Sequence, residues 1–450
     1  MLNVSMGKSR QFVERADVLS WGRVVRERQF IARAQFRDEL ARLIAGPGWN
    51  SKLAIGLRRS YGDSCLNSAG AMIDATSLDR FIAFDAETGR LCAEAGLSLS
   101  NLLRLVVPRG WFLPTTPGTR FVTLAGAVAN DVHGKNHHRA GAFGCSILAL
   151  GLLRSDGRRL TLSPQCEPEL FAATIGGLGL TGVIEWAELQ LAPIRSSYLD
   201  VEIVPYENLD AFWSHAADSV VSHEHTVAWI DCLTRGAREG RGVFTRANWA
   251  DDGRLDVHDD HTLKNAPFDF PRFALNKISA TAFNEVYYQF QRLKLKYSRQ
   301  HYSSYFYPLD SIQNWNRIYG ARGMLQYQCV IPWGNERNAM RLLLDQTSQS
   351  GQASFLAVLK TFGDRASPGM LSFPRPGATL ALDFPYRGSE TLLLMDRLDS
   401  IVREAGGALY PAKDGRMPAD MFKRAYPRWE AFTAQKDPAM SSNFWRRIEQ

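Results

Sequence analysis

Cysteine, long apolar runs and charge of one sign are all scarce in this sequence, and each shortage removes a class of protein. Six cysteines (Cys65, Cys92, Cys145, Cys166, Cys232 and Cys329) are scattered over 450 residues with no C-x-x-C pair, which argues against a disulfide framework and a cysteine zinc site and fits a reducing compartment. No apolar stretch approaches the roughly 18 residues of a membrane span. The longest lies near residues 146–153, and residues 1–10 lack the apolar core of a signal peptide. A cytoplasmic location is expected, with a membrane surface as a candidate contact. The sequence also has no H-E-x-x-H, no Walker lysine, no helix-turn-helix or RNA-stacking signal and no solenoid repeat.

What is present is a folded chain of ordinary composition. Hydrophobic residues are 45%, aromatics 11% and charged residues 22%, values that exclude disordered and collagen-like classes. The length gives a prior of two or three domains. The net charge of +7 is matched by residues 1–59 alone, where Lys8, Arg10, Arg15, Arg23, Arg26, Arg28, Arg33, Arg37, Arg42, Lys52, Arg58 and Arg59 face five acids. Such an edge is either a solvated face or a contact for anionic lipid, nucleic acid or a phosphorylated substrate.

Residues 34–45 carry Phe36, Leu40, Leu43 and Ile44 at helical spacing before Gly46-Pro47-Gly48, which predicts a helix. Residues 81–85 and 90–94 read as a hairpin, with Ser98 or Ser100 capping a helix to Val107. A second hairpin turns at Ser155-Asp156-Gly157. Short strands mixed with amphipathic helices predict an α+β fold. Near Ala192-Pro193 the glycine-rich texture gives way to Trp, Tyr, His and polar loops such as 251–261, and near Gly406-Gly407 it changes again, so boundaries are expected there.

Three glycine-bearing turns precede the first boundary. Gly177-Leu178-Gly179-Leu180-Thr181-Gly182 satisfies G-x-G-x-x-G, but a helical segment precedes it and a strand-like one follows, the reverse of a Rossmann unit. Residues 54–63 add a turn with hydroxyl, amide and guanidinium donors, and residues 117–126 add another. Three such loops suit a large dinucleotide spread over several backbone turns. The run 130–138, Asn-Asp-Val-His-Gly-Lys-Asn-His-His, is the densest polar cluster. His133 and His137 stand four apart, but Gly134 and Asn136 argue against a zinc-binding helix, so no metal is expected. A His and a Lys on a glycine turn suit polarising a substrate or cofactor. His137 and His138 have a plainer reading as surface polarity. Gln326, Gln328, Lys360 and Asp383 each interrupt an apolar strand-like run. Gln326 and Gln328 share one face of a strand, with Leu325 and Tyr327 opposite, and could line a pocket roofed by a sheet or simply meet solvent. Lys360, amid Phe, Leu and Val, must snorkel or find a partner.

Together, Arg59-Ser-Tyr-Gly-Asp, Pro117-Gly-Thr-Arg, Asp131-Val-His-Gly-Lys-Asn-His-His, Gly179-Leu-Thr-Gly, Leu325-Gln-Tyr-Gln and Ala412-Lys-Asp resemble the decaprenylphosphoryl-β-D-ribose 2'-oxidase family, flavoproteins of the vanillyl-alcohol-oxidase type. The resemblance runs from about Trp21 to the C-terminal helices. It implies a two-part FAD domain of the PCMH type, residues 1–194 completed by 409–450, with a substrate domain on an antiparallel sheet, residues 195–408, inserted between them. The implied FAD contacts are Ala54, Ile55, Gly56, Leu57, Arg58, Arg59, Ser60, Tyr61, Gly62, Asp63, Ser64, Gly118, Thr123, Leu124, Ala125, Gly126, Asn130, Asp131, Val132, His133, Ile184 and Tyr410. Tyr61 stands where some members of the wider fold attach flavin to a histidine, which implies non-covalent FAD.

The resemblance further implies oxidation of the 2'-hydroxyl of a polyprenyl-phosphate riboside to a ketone, with hydride passing to flavin N5, quinone or oxygen as electron acceptor, and an NAD-dependent keto-reductase partner completing the arabinose epimer. Lys413 would sit beside the flavin. His133, Lys135, Gln328 and Lys360 would complete the catalytic pocket, and Trp229, Gln326, Asp383, Ala381 and Phe306 would meet the substrate. Ala381 stands where the mycobacterial members carry a cysteine and Phe306 where they carry a tyrosine, which leaves the cofactor expectation intact and alters how the pocket meets sugar or prenyl chain. The rival expectations are a sugar-lactone oxidase of the same fold and a non-catalytic basic protein binding membrane or nucleic acid.

Overall fold

The computed structural model describes residues 12–260, 264–271, 274–294, 296–352, 354 and 356–450. Lys8, Arg10 and the end of the polar loop 251–261 lie outside them.

The fold is α+β and is organised around three main sheets. The first joins Val13–Arg15, Gln29–Arg33, Ala71–Asp74 and Lys52–Ile55, with the last three strands parallel. Its strands are short, and the parallel ones supply Ala32, Ala71 and Ile73 to a core that Leu40, Leu43 and Ile44 of the helix Arg37–Ala45 complete. That helix begins three residues later than its periodicity predicts. The Glu39 carboxylate accepts from the amides of Gln35 and Phe36, which fixes the start at Arg37. Phe36 is left exposed under the Arg80 guanidinium.

The second sheet is antiparallel, in the order Phe81–Asp85, Arg90–Glu94, Val183–Gln190, Ile147–Leu153 and Arg159–Leu162. Both expected hairpins are here. Ser98 caps the helix Leu99–Val106 by accepting from the Asn101 amide at 3.1 Å, while Ser100 lies inside the helix and bonds His258.

The third sheet has eight antiparallel strands in the order Tyr297–His301, Tyr198–Tyr206, Gly242–Trp249, His225–Ile230, Ala357–Phe362, Gly377–Pro385, Met324–Pro332 and Ala408–Leu409. Helices Leu209–Ser222, Glu336–Gln349 and Ser389–Glu404 contribute to the core that buries one face. Leu325, Tyr327 and Cys329 point into that core, so Gln326 and Gln328, alternating with them, point the other way.

After the third sheet the chain returns to the first. The Lys52 amide bonds the Ala439 carbonyl at 2.7 Å, the Ser441 amide bonds the Lys52 carbonyl, and the Tyr61 amide bonds the Ala412 carbonyl. Arg447 holds Asp63 at 2.7 Å and Asp414 at 3.2 Å. Among the described residues no helix is long and apolar enough to cross a membrane.

Candidate active site

Between the first two sheets and the open face of the third lies a cavity of about 870 Å³, within the size range of cofactor and ligand sites. One wall is loop backbone. Strand Lys52–Ile55 runs into the turn 56–61, where Arg58 holds φ +50°. Thr123 caps the short helix Leu124–Ala129 by accepting from the Gly126 amide. The G-x-G-x-x-G turn follows helix Pro168–Thr174 and precedes strand Val183–Gln190, and its Leu178 amide bonds the Ala129 carbonyl. Gly118 and Gly179 line the cavity where a Cβ would enter open or barely contacted space, and Gly179 has φ +75°. The buried Arg58 Nε and Ser64 Oγ at this wall have no hydrogen-bond partner within the chain. Open backbone concavities beside unpartnered donors fit an anionic dinucleotide.

The opposite wall is made of side chains set by strand register. Gln328 pairs with Ala381, Ala381 with Val358, and Val358 with Trp229. Directly opposed residues share a face, so these four form a row across the sheet, and all line the cavity. Lys360 pairs with Thr379 beside that row.

His133 enters between the walls. Its Nε2 lies 3.0 Å from Gln328 Nε2 and its Nδ1 lies 3.0 Å from Lys360 Nζ. The Gln328 amide also donates to Thr379 Oγ1, and Lys360 Nζ donates to the Gly134 carbonyl. Lys135 bonds the Tyr305 carbonyl and lies 4.2 Å from the Tyr305 ring centre. Lys413 Nζ lies 3.7 Å from the Tyr61 ring centre. Burial pushes Lys135 and Lys360 down to about 7, helped by the neighbouring charges of Lys360 and Lys413 respectively. It pushes Lys413 down to about 8, with Asp383 opposing the shift. Burial and nearby lysines hold His133 well below the usual imidazole range. Three crowded lysines give the site a strong demand for negative charge or for loss of a proton.

Lys413, His133, Lys135, Gln328 and Lys360 therefore share one cavity with Trp229, Gln326, Ala381 and Phe306. Most of the expected cofactor residues line it as well, but five of the expected site residues stand behind the lining. Gly62 packs on the Asp414 carbonyl, where a Cβ would sit only 1.4 Å from the oxygen. Asp63 is spent on Arg447, and Leu124 is core. Asp131 is a buried anchor accepting from the Gly144 amide, Ser367 Oγ and Ser372 Oγ at 2.5–2.7 Å. Asp383 accepts from Gln326 and Tyr319 behind the pocket surface. His137 is not surface polarity: its ring is buried 4.5 Å from the Phe362 ring. His138 bonds the His223 carbonyl.

Several lining residues escaped the sequence reading. Trp21 and Trp315 arrive by tertiary packing alone, with the Arg59 guanidinium stacked over Trp21. Tyr287, Gln291 and Lys294 come from helix Lys277–Leu293 and its end. The apolar periodicity of residues 278–293 was the signal that could have found them.

A family model described as an FAD binding domain matches residues 33–163. The chain is 33% identical to decaprenylphosphoryl-β-D-ribose oxidase of Mycolicibacterium smegmatis, over 96% of this chain and 97% of that one. The chain belongs to the decaprenylphosphoryl-β-D-ribose oxidase family. It is an FAD-dependent oxidoreductase. Mouse L-gulonolactone oxidase is 29% identical over 32% of this chain and 33% of its own length. D-arabinono-1,4-lactone oxidase of Yarrowia lipolytica is 23% identical over 36% and 31%. Membership of the oxidase family thus spans nearly the whole chain, whereas likeness to the lactone oxidases covers about a third.

Proposed function

We propose that this oxidoreductase converts the 2'-hydroxyl of a polyprenylphosphoryl-β-D-ribose to a ketone, the oxidative half of an epimerisation to the arabinose form. The observation that carries the reading is the chain Gln328–His133–Lys360, set on the sheet wall of the cavity, with Lys413 in the same cavity. FAD, held by the backbone wall, supplies the two-electron acceptor for a carbinol C–H. Everything else is done by side chains.

With the Gln328 amide assigned so that its nitrogen donates to both Thr379 and His133 Nε2, the imidazole hydrogen resides on Nδ1 and is donated to Lys360. That requires Lys360 as a free amine, consistent with its depression to about 7. The lone pair that Lys360 offers to His133 Nδ1–H at rest turns to the substrate hydroxyl and takes its proton, while the Gly134 carbonyl, which accepts from Nζ throughout, holds the amine in place. Lys413, charged below about 8, stabilises negative charge that develops in the cavity during oxidation. Lys135, turned onto Tyr305, shapes the pocket at Phe306. Trp229, Val358 and Ala381 supply an apolar floor.

The cofactor is bound non-covalently in this reading, because residues 54–64 contain no His or Cys and burial pushes the neighbouring Cys65 thiol up to about 12. Residues 1–194 and 409–450 form the FAD domain around residues 195–408, a division supported by the returning contacts at Lys52 and Tyr61. In this reading the electron acceptor would be quinone or oxygen, and an NAD-dependent keto-reductase would consume the product.

Two measurements test this. Acid precipitation of the purified protein releases all yellow colour to the supernatant; colour left in the pellet overturns the non-covalent reading. Under anaerobic conditions polyprenylphosphoryl-ribose bleaches the flavin absorbance and soluble aldonolactones do not; the opposite pattern selects the lactone-oxidase reading.

A further inference from the structure

The helix Lys277–Leu293 is built to face two environments at once. Its buried side presents Ala280, Asn284 and Tyr288 to the sheet. Its outer side carries Ile278, Phe283, Val286, Phe290 and Leu293, exposed by 81, 48, 69, 60 and 88%. At 100° per residue these five occupy one arc of the helix. No comparable run of exposed large apolar side chains occurs elsewhere among the described residues. A contiguous apolar stripe of this kind marks an interaction surface.

Two further observations say what it meets. The stripe is continuous with the cavity: the Phe283 ring stacks on Tyr287 at 5.9 Å and 12°, Tyr287 meets Trp229 edge-on at 4.8 Å, and Tyr287 and Trp229 both line the cavity. The surroundings are cationic. Residues 277–296 hold Lys277, Arg292, Lys294 and Lys296, the last paired with Glu202, against a single acid, Glu285, which is paired with Arg241. In the N-terminal segment, by contrast, Arg15, Arg23, Arg28, Arg33 and Arg37 each sit in an ion pair.

We propose that the outer face of helix Lys277–Leu293 docks on an anionic lipid bilayer, and that the aromatic track from Phe283 through Tyr287 to Trp229 carries a polyprenyl chain from that bilayer into the cavity. The apolar arc enters the acyl boundary and the flanking cations meet lipid phosphates, the arrangement of an interfacial amphipathic helix. The second half of the proposal rests on the polyprenyl-phosphate reading of the substrate; the first half does not.

The test is co-sedimentation of the flavin-loaded enzyme with phosphatidylglycerol-containing vesicles and with pure phosphatidylcholine vesicles. The wild type pellets with the anionic vesicles and more weakly with the neutral ones. Val286→Glu/Leu293→Glu, altered only at exposed positions away from the cavity lining, loses about tenfold or more in vesicle affinity. It keeps its flavin spectrum and its kcat on detergent-dispersed substrate, and its KM rises only for substrate presented in vesicles. Wild-type protein that stays in the supernatant, or a double variant that pellets like wild type, overturns the docking surface. So does a wild-type dimer that dissociates in the variant without any vesicle binding, since the stripe then covers a second copy. Flavin bleaching by detergent-dispersed polyprenylphosphoryl-ribose without vesicle binding removes the docking surface alone. Vesicle binding without bleaching removes the substrate reading and its prenyl track and leaves the lipid-docking face standing.

Discussion

On the wall formed by residues 54–64, 117–126 and 177–184 the cavity meets its ligand with backbone, while on the wall formed by the eight-stranded sheet it does so with side chains held in register. The first kind of recognition needs glycine and small residues where chain approaches chain or ligand. The second needs particular functional groups at alternating positions of strands far apart in sequence. Gln328, Ala381, Val358 and Trp229 come from four strands that meet only through pairing. A backbone wall can therefore be shared by oxidases of differing substrate, and the side-chain wall is where this chain's chemistry is decided.

The sharpest way to break the backbone wall is at its seam with the C-terminal segment. Gly62→Ala places a methyl 1.4 Å from the Asp414 carbonyl oxygen, a backbone clash that no rotamer relieves. The expected result, the largest here, is loss of flavin-loaded protein, measured by absorbance per polypeptide after gel filtration. Next comes Asp131→Ala, which strands the Gly144 amide and two serine hydroxyls in the interior. It should cost about 3–5 kcal/mol in denaturant unfolding, and with it the placement of His133 two residues on.

On the side-chain wall the expected effects are on rate rather than folding. Lys413→Met or Lys360→Met should lower kcat by about 10²–10³-fold, the scale of removing one electrostatic contact to a developing charge. The two differ in their pH profiles. Wild-type kcat/KM should be bell-shaped, rising as Lys360 becomes a free amine through about 7 and falling as Lys413 loses its charge through about 8. Each variant loses its own limb. Stability has the opposite dependence from a paired lysine. Both ammonium groups titrate lower in the folded state than unfolded, so the unfolded chain binds more protons and stability rises with pH from about 7 to about 10. Lys360→Met should thus raise the melting temperature more at pH 6 than at pH 10.

The contrast between the walls also governs how much could be read from the sequence. The loops at 54–64 and 117–135 and the turn at 177–182 were legible because glycine, Thr123 and the histidine-rich run have local meaning. The pairing of Gln326 with Gln328 was legible from strand alternation. The bond from Lys360 to His133 spans 227 positions, and no local pattern encodes it. Asp131 stands among the FAD contacts that the resemblance implies; donors from Gly144, Ser367 and Ser372 bury it instead, and no local pattern encodes them. Helix Lys277–Leu293 went unread although its periodicity is clear, because Asn284, Glu285 and Gln289 interrupt it and its apolar side faces out rather than into a core.

The smallest expected effect concerns Ala381, in the middle of the row Gln328–Ala381–Val358–Trp229. A thiol there adds one atom to a wall bounded by an 870 Å³ cavity, so Ala381→Cys should change stability by under about 1 kcal/mol and leave the flavin spectrum intact. It should, however, create a modification site. The resident cavity cysteine, Cys65, is held protonated by burial, with its pKa pushed up to about 12, and a protonated thiol is a poor nucleophile. Peptide mass spectrometry after treatment with a small thiol-directed electrophile should find an adduct at 381 in the variant and none at Cys65 in either protein. An adduct at Cys65 in the wild type would mean that the backbone wall is more open to water than its packing implies, and the two walls would then differ less than their construction suggests.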